Sequence, residues 1–237
     1  MVAPLVKRIW IWCRNLLIFL FVSSILAVVV YKFVPVYYTP LMFIRMYEQH
    51  QDGKKMKLDH TWVPISKIAQ PLVQAVIASE DNLFMEHNGF DVEQIQKARA
   101  EAEKGIEVYF TFLIEWIWGK ERIMEVYLNS IEMGEGIYGA EAVAEAHFGK
   151  HAYQLTKSEA ALIAATLPNP RKFNSAKPSP YMLKRQAKII PLMGKLIKVE
   201  MGYGAGQVDP GTGKVKKRKK WRASVIMTWD ESLMPMR

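Results

Sequence analysis

The stretch "SEDNLFMEHNGFD", residues 79–91, sets two adjacent carboxylates, Glu80 and Asp81, at the end of the apolar run "LVQAVIAS". An acid at the end of an apolar helix loses part of its hydration, which raises its pKa toward the range where a general base works. Phe84 follows closely enough to exclude water, His87 to donate a hydrogen bond, and Gly89 to permit a left-handed turn. Further acids lie downstream at Glu107, Glu115 and Glu125. Two carboxylates facing each other across a cleft are the usual equipment for making or breaking a glycosidic bond. A solvated helix end with an ordinary turn is the competing reading of the same residues. Metal chemistry has less support. The one cysteine, Cys13, excludes an internal disulfide and a cysteine-based metal site. The five histidines contain no H-E-x-x-H pairing, and His147 and His151 in "HFGKH" read as surface or loop residues.

The elements that must position these acids begin with a membrane anchor. Residues 15–34, "NLLIFLFVSSILAVVVYKFV", carry Lys32 as their only charge, near enough to the end to snorkel. That length suits a helix crossing about 30 Å of hydrocarbon. Lys7, Arg8 and Arg14 precede it, with Trp10 and Trp12 at the expected interface. Positive flanks stay in the cytoplasm, so residues 1–14 are expected inside and everything after Val34 outside. The following "YKFVPVYYTP" is too bulky for a signal-peptide cleavage site, which favours a retained anchor. The net charge of +9, from 32 Lys and Arg against 23 Asp and Glu, favours an anionic partner. Placing the domain outside the membrane argues against nucleic acid.

Residues 35–59 read as a stalk, because Pro35 and Pro40 break helices and "EQHQDGKKMK" is polar. "HTWVPIS" reads as extended, since Pro64 biases Val63 away from helix. A buried helix is expected over 71–79. Asp91 and Gln94 form a capping box that opens the next helix. "KGIEVYFTFLIEWIWGK" repeats its apolar residues at helical spacing, with an interruption expected at Gly105 and core packing favoured over lipid for "FTFLIEWIW". "ERIMEVYLNSI" continues as helix, and "MGEGIYG" must turn. "KSEAALIAATLPNP" and "SPYMLKRQAKIIPLMGKLIK" give two more helices, with a kink expected at Pro191. The fold class is therefore mainly α. Residues 198–237 are glycine-rich and then densely basic, which suits a solvated tail or a patch against anionic lipid.

Three blocks together resemble the peptidoglycan glycosyltransferases. "SEDNLFMEHNGFD" matches that family's E-D-x-x-F-x-x-H-x-G motif. "KERIMEVYLNSIEMGEGIYGAEAVAEAHFGK" is similar to its K-x-x-I-L-E-x-Y-L-N block, with Met124 where leucine is usual. "LTKSEAALIAATLPNPRKFNSAKPSPYMLKRQAKII" looks like the region that follows. The resemblance spans residues 60–197 and implies a lysozyme-like, mainly α-helical domain. A single anchor without a second large domain points to the monofunctional, biosynthetic branch. The resemblance also implies an activity, the polymerisation of lipid II outside the cytoplasmic membrane. Glu80 then matches the catalytic base and Asp81 its orienting neighbour, with Phe84 and His87 in the same motif. Glu107 and Lys104 match the R-K-x-x-E motif near the donor pyrophosphate. Lys120, Glu125, Tyr127 and Asn129 match the next block and read as partly structural, Glu125 also as a helix-internal ion pair. No cofactor is implied as required, although a divalent cation, Mg or Mn, could bridge pyrophosphate and carboxylate. The partners implied are lipid II, the growing glycan, membrane lipid and other cell-wall synthesis proteins.

One family block is absent. Members carry a glycine-serine-threonine stretch ending in paired glutamines between the first motif and R-K-x-x-E. Here "ARAEAEKGIE" runs directly to Lys104, and Glu103 stands where the arginine is expected. The donor would lose part of its cradle, and residues 92–118 could fuse into one long helix. Two rival readings follow: a membrane-tethered scaffold that binds glycan or lipid II without turnover, and a lysozyme-like hydrolase using the same fold.

Overall fold

The computed structural model describes residues 2–80 and 102–196. Asp81, Phe84, His87, the Asp91–Gln94 capping box and the basic tail lie outside the described residues.

Helix α1, Val2–Tyr31, is 30 residues long, about 45 Å at 1.5 Å per residue. Its stretch Val6–Tyr31 has a mean hydropathy of 2.3 and is 6% buried, so it is long and apolar enough to cross a membrane. The helix thus begins well before residue 15 and ends three residues short of Val34.

The expected stalk contains a helix. Thr39 caps α2, Pro40–Gln51, and Pro40 opens it instead of breaking it, because proline's missing N–H costs nothing in a first turn. α2 buries Met42 fully and most of Gln49. The Gln49 side chain accepts the Lys57 N–H at 2.7 Å, which turns the chain back toward strand β1, Asp59–His60.

The core is a helical packet. Helix α3, Gln70–Glu80, buries Leu72, Val73 and residues 75–78. It packs against α7, Lys157–Thr166, and α8, Pro180–Lys195. α7 contributes Ala160, Ala161, Ala164 and Ala165, all fully buried; these small side chains let the helix backbones approach closely. Its cap is Thr156, whose side chain and Glu159 form a reciprocal capping box. Ser179 caps α8, which stays helical through Pro191.

Between these helices lie α4, Ala102–Trp118, α5, Lys120–Ser130, and α6, Ala140–Phe148. α4 runs through Gly105 without the expected interruption. The break falls instead at Gly119, whose φ of +77° suits glycine. "MGEGIYG" forms a bulged hairpin of β2, Glu132–Gly134, and β3, Ile137–Tyr138, and β1 joins β3 in parallel. Glycine is required at two of its positions. A Cβ on Gly136 would lie 2.5 Å from the Lys57 carbonyl, and one on Gly139 2.6 Å from the Asn129 carbonyl, both at positive φ.

Candidate active site

Burial along α3 ends abruptly. Ala78 is buried, Ser79 is half-buried and Glu80 is exposed. The partial desolvation expected of Glu80 is therefore not seen, because the helix leaves the core at its last residue. Two groups flank the acid. Arg185 Nη2 on α8 donates to Ser79 Oγ at 3.0 Å, and Ser79 Oγ in turn donates to Glu80 Oε1 at 3.3 Å. Tyr127 on α5 is held well above the ordinary phenol value of 10, first by burial and then by the negative charge of Glu80. It stays a neutral hydroxyl beside the carboxylate.

Arg185 was not among the residues singled out from the sequence, although a signal was present. It lies three residues after buried Met182 and four before buried Ile189, on the core-facing stripe of an otherwise lysine-rich helix. An arginine there must have a partner. Among the described residues its buried Nε has none.

The other matched residues of α5 are structural. Asn129 is fully buried; its Nδ2 donates to the Val63 and Glu125 carbonyls at 2.9 and 2.8 Å, and its Oδ1 accepts the Val63 N–H at 2.9 Å. It pins the extended segment that leads to α3, the structural part of the role its motif implies. Glu125 accepts the Ile65 N–H at 3.0 Å and pairs with Arg122 at 2.6 Å, the helix-internal pair anticipated for it. Lys120 pairs with Glu115 at 2.8 Å, both largely buried.

Glu107 is exposed on α4, and Lys104 lies in that helix's first turn. No contact among the described residues joins Glu107 to Glu80. α4 instead runs beside the membrane helix. Tyr109 Oη lies 2.8 Å from Ser24 Oγ, the Tyr109 and Phe21 rings are 5.9 Å apart, and Trp118 Nε1 donates to the Val28 carbonyl at 2.7 Å. Contacts advance together along both chains, so the helices are parallel. Of "FTFLIEWIW" only Leu113 is buried; Trp116 is 76% exposed and stacks on exposed Phe112. The core assignment for this run is therefore wrong. The helix uses one face on α1 and leaves an apolar face outward.

Two other features lie apart from Glu80. A cavity of about 340 Å³ beside the hairpin includes Lys54, Lys55, Lys57, Glu135 and His147 and none of the expected site residues; Lys54 and Lys57 already pair with Glu135 and Asp59. Glu141, Glu145 and His151 are the one trio among the described residues close enough to hold a metal ion. Both Glu141 oxygens are engaged, by His151 Nδ1 at 2.6 Å and the Ala152 N–H at 2.8 Å. The Ala152 carbonyl accepts the Ala69 N–H at the start of α3, about 16 Å along the helix from Glu80. The trio does not fit a cation that would bridge a reacting pyrophosphate.

The sequence that builds this helical domain matches known proteins closely. The transglycosylase family profile matches residues 48–103 and 96–194. A biosynthetic peptidoglycan transglycosylase of Bacteroides thetaiotaomicron is 54% identical over 217 residues, covering 79% of this chain and 88% of that protein. One from Caulobacter vibrioides is 44% identical over 209 residues, covering 74% and 89%. One from Bdellovibrio bacteriovorus is 41% identical over 208, covering 76% and 83%. The chain belongs to the transglycosylase family, in its monofunctional branch with a mainly α, lysozyme-like fold. The alignments also locate what it lacks. In the Bacteroides comparison 217 positions take in 79% of 237 residues, about 187, so about 30 positions have no counterpart here. The two profile matches overlap at residues 96–103, where the glycine-serine-threonine block is absent.

Proposed function

We propose that this chain extends peptidoglycan glycan strands from lipid II, with Glu80 as the base. The 4-hydroxyl of an incoming lipid II loses its proton to Glu80 while its oxygen attacks the anomeric carbon of the growing, lipid-linked strand. The bond from that carbon to the pyrophosphate breaks, the anomeric centre inverts, and undecaprenyl pyrophosphate leaves with the bonding electrons. A general base contributes about 10²–10⁴ in rate. Tyr127, held protonated, serves as a hydrogen-bond donor beside the base, and Arg185 adds a fixed positive charge where anionic groups gather. Asp81, Phe84 and His87 complete the acceptor side, and Lys104 and Glu107 the donor side. A bridging divalent cation, if used, would rest on an exposed acid such as Glu107.

The observation that carries this reading is the convergence of α3, α5 and α8 on Glu80 in a chain whose membrane helix packs against the same domain. That geometry suits a substrate held in the bilayer. The helix end before Arg14 faces the cytoplasm and the domain faces outward, where other wall-synthesis proteins can meet it. The test is polymerisation of labelled lipid II by the chain and by Glu80→Gln, resolved on a gel; equal product from both would remove Glu80 from its role.

A second reading has one observation behind it. With about 30 family positions absent and no described contact between Glu80 and Glu107, the chain could hold lipid II or glycan without joining them. Lipid II binding without product would favour that scaffold.

A further inference from the structure

α1 ends without a basic residue in its last turn. The last carbonyls of any helix lack intrahelical partners and carry partial negative charge. Here the N–H groups of Lys32, Phe33 and Val34 reach back to the Val28, Val29 and Val30 carbonyls, and the Tyr31 carbonyl is met from the domain. Arg122 of α5 donates through Nη2 to the Tyr31 carbonyl at 2.8 Å and the Val34 carbonyl at 2.6 Å, and through Nε to Tyr31 again at 3.2 Å. Trp118 donates to the Val28 carbonyl at 2.7 Å. The guanidinium lies against the rings of Trp62 and Trp118, at 5.2 and 6.0 Å from their centroids. Its remaining nitrogen, Nη1, binds Glu125, whose other oxygen holds the Ile65 N–H just ahead of α3. One side chain thus connects the end of the membrane helix to the segment that leads to Glu80.

We propose that Arg122 is a positioning residue that fixes the angle between the membrane helix and the catalytic body, and so the height of Glu80 over the bilayer. The planar fork of arginine suits this role, since its separate nitrogens reach two carbonyls and a carboxylate while its face lies on the Trp62 and Trp118 rings; the compact ammonium of lysine lacks that spread and that face. The functional half of the proposal rests on the reading that the substrate is held in the membrane.

The test uses the full chain in lipid vesicles. Spin labels on the lone Cys13 of α1 and on exposed Lys188→Cys of α8 report the angle as a distance distribution. Arg122→Ala is expected to widen that distribution at least twofold, Trp118→Phe less, and Arg122→Lys to an intermediate extent. A distribution as narrow as the parent's in both Arg122→Ala and Trp118→Phe overturns the clamp. In parallel, rates are compared on lipid II embedded in the vesicles and on a short-chain, detergent-soluble analogue. The ratio is expected to fall on the order of tenfold in Arg122→Ala, because misplacement penalises only the membrane-held substrate. Equal losses on both substrates overturn the positioning role. Absence of turnover in every version, parent included, would count against the proposed function, while the distance measurement would still decide the clamp.

Discussion

Asn129 and Glu80 come from neighbouring motifs of comparable distinctness in the sequence, yet they do opposite things. Asn129 is sealed and uses its amide on three backbone groups. Replacing it with alanine strands the half-buried Val63 N–H and carbonyl; a fully buried pair would cost about 1–3 kcal/mol each, so a loss of about 2–4 kcal/mol is expected in denaturant unfolding. A loss below 1 kcal/mol would show that the pin is dispensable. Titration belongs to this scale too. Burial pushes the His60 imidazole below its ordinary 6.5, opposed by its bond to the Asn129 carbonyl; burial and then the charge of Lys57 lower His147. Between the folded and unfolded pKa values the unfolded chain binds more protons, so stability is full above about pH 6.5 and falls as pH drops through it. Melting temperatures between about pH 7.5 and 5.5 should fall, and His147→Gln should flatten that slope; an unchanged slope would exclude His147. What the sequence conveyed at this scale was residue type and spacing. It could not say that Asn129 faces a backbone and Arg185 the end of α3, because both facts depend on residues tens of positions away.

Helices were the legible elements. Apolar spacing marked α3, α4, α5, α7 and α8, and the glycines of "MGEGIYG" marked a turn that proved to be a hairpin. The misreadings share a cause. Pro40 and Gly105 weigh against helix by intrinsic propensity, but a first turn tolerates proline and one glycine costs a helix only about 1 kcal/mol. The apolar stripe of α4 was assigned to the core because periodicity reveals that a face is greasy, not whether protein or lipid covers it. The alanine-rich α7 gives a prediction at this scale. Ala164 is fully buried, so Ala164→Leu should overpack the packet and cost about 1–3 kcal/mol, read from the same unfolding curves. A neutral or stabilising effect would reveal unfilled space there.

At the scale of the whole molecule, the membrane helix and the domain form a connected unit. Ser24, which meets Tyr109, precedes Tyr31 by seven residues, about 10 Å along the axis. α4 therefore accompanies α1 from the level of Ser24 to that of Val28, near the C-terminal end of the apolar span, with Phe112 and Trp116 exposed along it. The domain that carries Glu80 is thereby held close to where a lipid-linked sugar would lie. The absent block is a large departure from the relatives, and it is visible in the sequence because motif order is linear. Its consequence for turnover is a property of the cleft. The most direct measurement is glycan polymerisation from lipid II in vesicles by this chain, by Glu80→Gln, and by a version with the glycine-serine-threonine block restored. Strands should form with the parent chain, increase with the block restored, and fall at least a hundredfold with Glu80→Gln. Strand synthesis that is indifferent to Glu80, or absent even after the block is restored, would contradict the assignment of this acid as the base.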